Sequence, residues 1–141
     1  MANSIQQAKI AATPSEKVKT NELAGRVRVA FAEYEATTEQ STIHMFSLPN
    51  GARILGGRLA HDALNSSTTL SVGHNAYINS AGTTVAADVD EFKAGSSSAS
   101  ATSAAIATTI ALGENSVVDA DKDGLPVSVT LAGADGAGTI Q

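Results

Sequence analysis

The chain contains no cysteine and no tryptophan, and aromatic residues make up only 4% of its 141 residues. The absence of cysteine excludes disulfide bonds, thiolate metal sites and cysteine nucleophiles. Hydrophobic residues reach 43%, but alanine supplies much of that share, so the core is thin for a domain of this length. Because small side chains bury little area, we expect part of the chain to gain order against a neighbouring protein.

Long apolar runs are also missing. No run approaches the roughly 20 residues that cross a membrane, and the N-terminus lacks the apolar segment of a signal peptide. We therefore expect a protein that is made in a cytoplasm and is not exported by that route.

Basic residues are few and unevenly placed. The net charge is −5, yet residues 1–28 hold five basic and two acidic residues, which leaves +3 there and −8 in the remainder. An acidic body disfavours nucleic acid as a partner, because phosphate binding needs a cationic surface. The basic N-terminal segment is instead suited to binding an acidic surface of another protein. Its candidate contact residues are Lys9, Lys17, Lys19, Arg26 and Arg28.

Two domain-level units follow from the pattern. Residues 1–23 show no sustained period, and Pro14 interrupts the one stretch with helical character. This segment is interpreted as an extended N-terminal arm, with a disordered terminus as the alternative. Residues 24–141 are predicted to form the folded domain.

That domain has the period-2 alternation of β-strands. In residues 25–36, Val27, Val29 and Phe31 share one face, and a second strand over residues 41–48 ends at a Pro-Asn-Gly turn. The later strands are a bent one interrupted by Gly56-Gly57, one through residues 69–74, and one that places Val127, Val129 and Leu131 on a single face. The sequence predicts a mainly β fold, an antiparallel, jelly-roll-like β-sandwich.

Three segments depart from this pattern. Residues 86–94 carry early acidic residues and apolar residues three apart, which predicts one short helix. Residues 95–105 are a low-complexity run of small residues, interpreted as a mobile or partner-ordered loop, after which residues 106–112 resume β character. The C-terminus is predicted to be a turn and a short final strand, whose open edge a partner's strand completes.

One string resembles a metal-binding motif. Asp119, Asp121 and Asp123, followed by Gly124, match the opening of a calcium-binding loop, but Thr130 stands where the loop needs a bidentate glutamate. The candidate metal ligands are therefore these three aspartates, with an acidic turn between strands as the competing interpretation. No other cofactor is expected.

No catalytic constellation is recognisable. His44, His61 and His74 lie near predicted strands, and His61 precedes Asp62, but no Gly-x-Ser-x-Gly elbow is present. The histidines are interpreted as solvated or hydrogen-bonded strand residues. We expect no enzymatic activity.

Residues 42–73 resemble small structural proteins of short-tailed, T7-like marine bacteriophage particles. The resemblance lies in LPNGARILGG, residues 48–57, and in TTLSVG, residues 68–73. It implies a β-sandwich present in many copies on the virion, as a capsid decoration (cement) protein that stabilises the phage head. The implied partners are the major capsid protein and other copies of this chain, and the implied location is the capsid surface.

Two other classes compete with that interpretation. The first is another component of the phage particle, such as a tail or head-fibre subunit. The second is an adhesion module, calcium-dependent if the aspartate loop binds a cation, although only two tyrosines are available for sugar stacking.

Overall fold

The computed structural model describes residues 26–141, with residues 38–40 described by their backbone alone. This part of the chain is 53% strand and almost free of helix, so the predicted mainly β, antiparallel fold is confirmed. A single turn of 3-10 helix covers Ile110–Leu112. The strands are β1 (Tyr34–Leu48), β2 (Gly57–His61), β3 (Thr69–His74), β4 (Tyr77–Ile78), β5 (Thr84–Val85), β6 (Asp88–Ser97), β7 (Thr102–Ile106) and β8 (Leu125–Ile140).

The last strand, β8, lies at the centre of the main sheet. Its residues 127–131 pair with β3 on one side and with β1 on the other, and Ile140 meets both Tyr34 and His61. The strand order is β6-β3-β8-β2-β7, with β1 paired to β8 off this path. The strands form a nearly closed, barrel-like sheet that fits a sandwich-like fold in the broad sense.

The core lies on one face of β8. Val127, Val129 and Leu131 are 5%, 3% and 1% exposed, as their alternation predicts. They pack in one cluster with Leu70 and Val72 of β3. Because full burial of such a side chain contributes roughly 1.5–3 kcal/mol, this layer supplies much of the cohesion of a core poor in aromatic residues.

The helix predicted over residues 86–94 is wrong, because this segment forms most of strand β6. β6 pairs with β3 from Ser97 to Asp88, and the ladder shifts register where β6 passes Gly73. A Cβ atom at Gly73 would lie 2.0 Å from the carbonyl oxygen of Asp88. A distant glycine therefore allows the close approach that makes a strand of a locally helix-like sequence.

The strand predicted over residues 25–36 is also wrong for most of its length. Residues 26–33 have no regular secondary structure, and β1 begins at Tyr34. Tyr34 pairs with Ile140, where β8 ends, so the preceding residues find no further partner on that strand. The predicted second strand is confirmed as the rest of β1, and its Pro-Asn-Gly turn follows with Gly51 at φ 78°.

The loop predicted over residues 95–105 contains the end of β6 and most of β7. Ser98, in the connection, is fully buried; its N–H donates to the Thr68 carbonyl at 3.1 Å, and the two hydroxyl oxygens lie 2.5 Å apart. Residues 102–106 pair with β2 along their whole length. Ladder hydrogen bonds come from the backbone, so small side chains do not prevent pairing.

Two expectations for the C-terminal third also fail. β7 ends at Ile106, and the predicted β segment 106–112 ends in the 3-10 turn, where the Thr109 hydroxyl accepts the N–H of Leu112 at 3.2 Å. The final strand is the longest in the sheet, and its last residues pair with β1 and β2 instead of presenting an open edge. A partner's strand is not needed to complete this edge.

The close approach at Gly73 generates a stability prediction. We expect Gly73→Ala to lower the free energy of unfolding by at least about 1–3 kcal/mol, because the new methyl group overlaps the β6 backbone. Gly95 of β6 is the matched control, since a Cβ there meets nothing within 4 Å. Gly95→Ala should change the free energy by less than about 0.5 kcal/mol. Urea denaturation of both variants measures the difference, and equal effects would contradict the predicted packing.

Candidate functional site

An apolar strip precedes the barrel. Val27, Val29 and Phe31 are 78%, 90% and 72% exposed. The strand face that their alternation predicts is not formed, because residues 26–33 have no regular secondary structure. Arg26 and Arg28, two of the candidate contact residues, alternate with them and are exposed as well. We call residues 26–31 the exposed strip. The other candidate contact residues, Lys9, Lys17 and Lys19, lie outside the described residues, as does the predicted arm, 1–23.

A small depression lies where β3 and β6 approach the segment that leads into β8. Its volume is about 150 Å³. The His74 ring meets Tyr77 edge-on, with centroids 5.2 Å apart, and lies 6.4 Å from the ring of Phe92. The remaining lining residues are Glu91, Ser116, Val117, Val118, Asp119 and Leu125.

Apolar side chains and two carboxylates share this depression. Desolvation raises the pKa of Tyr77 above its ordinary value of 10.0, and the negative charges of Asp119 and Glu91 raise it further. The local potential is therefore negative beside an aromatic surface. Such a site is suited to binding an apolar group that has a positively charged group next to it.

Sequence reasoning did not find the depression. Its residues come from separate segments, and no local pattern connects His74 with Phe92 or Val117. The sequence feature that bears on the depression is a pair of acidic clusters, at residues 88–91 and 119–123. These clusters were interpreted as a helix start and as a calcium loop, respectively, so their approach in space was missed.

The three candidate metal ligands have separate hydrogen-bond partners. Asp119 accepts from the N–H and the hydroxyl of Ser80, and Asp121 accepts from the N–H of Asp123 at 2.9 Å. Asp123 pairs with Lys122 at 2.7 Å, which raises the pKa of Lys122. Within residues 26–141, no three His, Cys, Asp or Glu side chains are grouped as metal ligands. Calcium binding remains a prediction, and the hydrogen bonds describe an acidic turn.

The histidines do not converge. His61 and His74 are buried in strands, and each has Nδ1 against the carbonyl oxygen of the following residue, at 2.7 Å and 3.1 Å. Exposed His44 lies 3.2 Å from the Ser47 hydroxyl through Nε2. The carboxylate of Asp62 accepts the N–H of Thr139 at 3.2 Å. His61 therefore contacts the Asp62 backbone, not its carboxylate, as a structural strand histidine.

Two glutamates hold the end of β8 against the start of β1. Glu35 accepts from the hydroxyl of Thr139 at 2.7 Å, and Glu33 accepts from the side-chain amide of Gln141 at 2.5 Å. These bonds place the end of the exposed strip at the end of the barrel where β8 finishes.

No protein-family model, curated protein or solved structure matches the chain. Within the described part, 26–141, no helix has the length and apolar character needed to cross a membrane.

The carboxylates beside Tyr77 generate a titration prediction. In a Tyr34→Phe background Tyr77 is the single tyrosine, so its ionisation can be followed by ultraviolet absorbance. We expect a pKa above 10.0, and we expect Glu91→Gln to lower it because one negative charge that opposes the phenolate is removed. Glu114→Gln is the control, since Glu114 is not among the groups that raise this pKa. An unchanged pKa in Glu91→Gln would contradict the described electrostatics.

Proposed function

We propose that this chain is a non-enzymatic structural protein of a bacteriophage particle, and specifically a capsid decoration (cement) protein. It binds the assembled head and stabilises it through many repeated copies. The resemblance of residues 42–73 supports the phage assignment. Those residues cover the end of β1, the turn after it, β2 and most of β3, so the resemblance concerns the barrel framework.

The observation that carries the proposal is the exposed strip. Three large apolar side chains, each at least 72% exposed, precede a barrel whose own core is buried without them. Large apolar side chains exposed so close together support a function by contact with another protein. The strip continues from the basic N-terminal segment, which has an excess of three positive charges over residues 1–28.

The mechanism is attachment by avidity. Each copy buries a modest area on the shell, and repetition over the lattice turns weak single contacts into persistent attachment. The basic segment docks on an acidic face of the major capsid protein, and Lys9, Lys17 and Lys19 supply charge for that contact. A segment that orders on docking gives low affinity per unit area but a long reach. Copies on the capsid surface also contact each other.

Binding to expanded empty capsids tests the proposal. We expect the purified full chain to bind them and to raise their melting temperature, because a ligand of the native state stabilises that state by mass action. At a free concentration 100 times the dissociation constant, the stabilisation is about 2.7 kcal/mol per site. Deleting residues 2–22 should abolish binding while leaving the melting temperature of the free barrel unchanged.

Two results would contradict this function. Capsid binding that is unchanged after the deletion would remove the role of the basic segment. Binding to tails or to host glycans, with none to heads, would favour the tail, fibre or adhesion alternatives.

A further inference from the structure

Within one copy of the chain, the apolar side chains of the exposed strip lie in water, which is energetically unfavourable. Val27, Val29 and Phe31 leave 78%, 90% and 72% of their surface exposed. No backbone hydrogen bond joins residues 26–32 to the rest of the described chain. Among residues 26–141, nothing therefore covers the strip or pairs with its backbone.

The depression has the size of a site for one side chain. Pockets for drug-sized molecules have volumes of roughly 300–1,000 Å³, and this one has about 150 Å³. The rings of Tyr77 and Phe92 line it together with Val117, which is 41% exposed. An aromatic side chain from a peptide segment suits such a surface better than a small metabolite does.

Charge makes the strip and the depression complementary. Arg26 and Arg28 alternate with the apolar residues of the strip, and Glu91 and Asp119 line the depression. Residues 26–33 have no regular secondary structure, so strand alternation does not hold the arginines on the side opposite Phe31, and their long side chains can approach the carboxylates.

The strip does not occupy the depression of its own copy. Val27, Val29 and Phe31 are each at least 72% exposed, and none of residues 26–31 lines the depression. The depression of one copy is therefore open to the strip of a second copy.

We propose that the exposed strip of one copy docks in the depression of a second copy. Phe31 contacts Tyr77, Phe92 and Val117, while Arg26 and Arg28 face Glu91 and Asp119. Because donor and acceptor are different surfaces, the contact is heterologous and generates rings or open chains of copies. This inference does not rest on the proposed function, since the copies should associate in the absence of any capsid.

Sedimentation velocity of the full chain over a range of concentrations tests the contact. We expect self-association, and we expect Phe31→Ser to raise its dissociation constant by at least about tenfold, as removal of a buried anchor does. Ile110→Ser is the matched control, because Ile110 is an apolar residue with 85% exposure that does not line the depression. This control should leave the dissociation constant unchanged.

Charge reversal identifies the partners within the contact. Arg28→Glu and Glu91→Lys should each weaken self-association, because each places like charges together. The double variant should recover most of the lost affinity, since it restores opposite charges. A purely structural effect of either substitution would not be rescued in this way.

Cross-linking gives a readout that does not depend on affinity. The natural chain has no cysteine, so introduced thiols report only the designed contact. A mixture of Ala30→Cys and Val117→Cys chains, which keep Phe31, should form a disulfide between copies on mild oxidation, whereas Ala30→Cys mixed with Ile110→Cys should not. A chain that stays monomeric, a Phe31→Ser variant that associates normally, or a disulfide that forms within one Ala30→Cys/Val117→Cys chain would each overturn the proposal.

Discussion

The pairing of β8 with three other strands is the interaction on which the rest of the structure depends. Residues 127–131 have β3 on one side and β1 on the other, and the end of the strand contacts β1 and β2. The same strand contributes Val127, Val129 and Leu131 to the core. Because the core has few aromatic residues, this shared strand combines most of the backbone pairing with a third of the buried core residues. The last part of the sequence thereby organises the segments before it.

Local sequence pattern predicted the parts of the fold in which burial follows alternation. The apolar face of β8 and the turn after β1 follow from side-chain order and from glycine at positive φ, whereas β3 is buried on both faces. The pattern failed where a distant partner decides the structure. Gly73 makes β6 a strand, and the end of β8 determines where β1 begins. The depression was not predictable for the same reason, because sheet topology alone brings Glu91 and Asp119 to one place.

The failed prediction over residues 25–36 is also the most informative one for function. Its alternation of apolar and basic residues is present in the sequence, but residues 26–33 have no regular secondary structure, and Val27, Val29 and Phe31 are exposed within the described copy. The proposed capsid attachment and the proposed contact between copies assign this segment to assembly. The barrel then acts as a rigid carrier, and the contacts are made by the segment before it.

Hydrogen exchange of the free and the assembled full chain tests most directly whether the barrel and residues 27–31 have these separate roles. In the free chain we predict slow exchange for the amides of residues 127–131, which open only by global unfolding, and fast exchange for those of residues 27–31. On assembly, only the second group should become protected. Protection of residues 27–31 in the monomer, or local opening of β8 on assembly, would contradict a nearly closed barrel whose contacts with other molecules are made by residues 27–31.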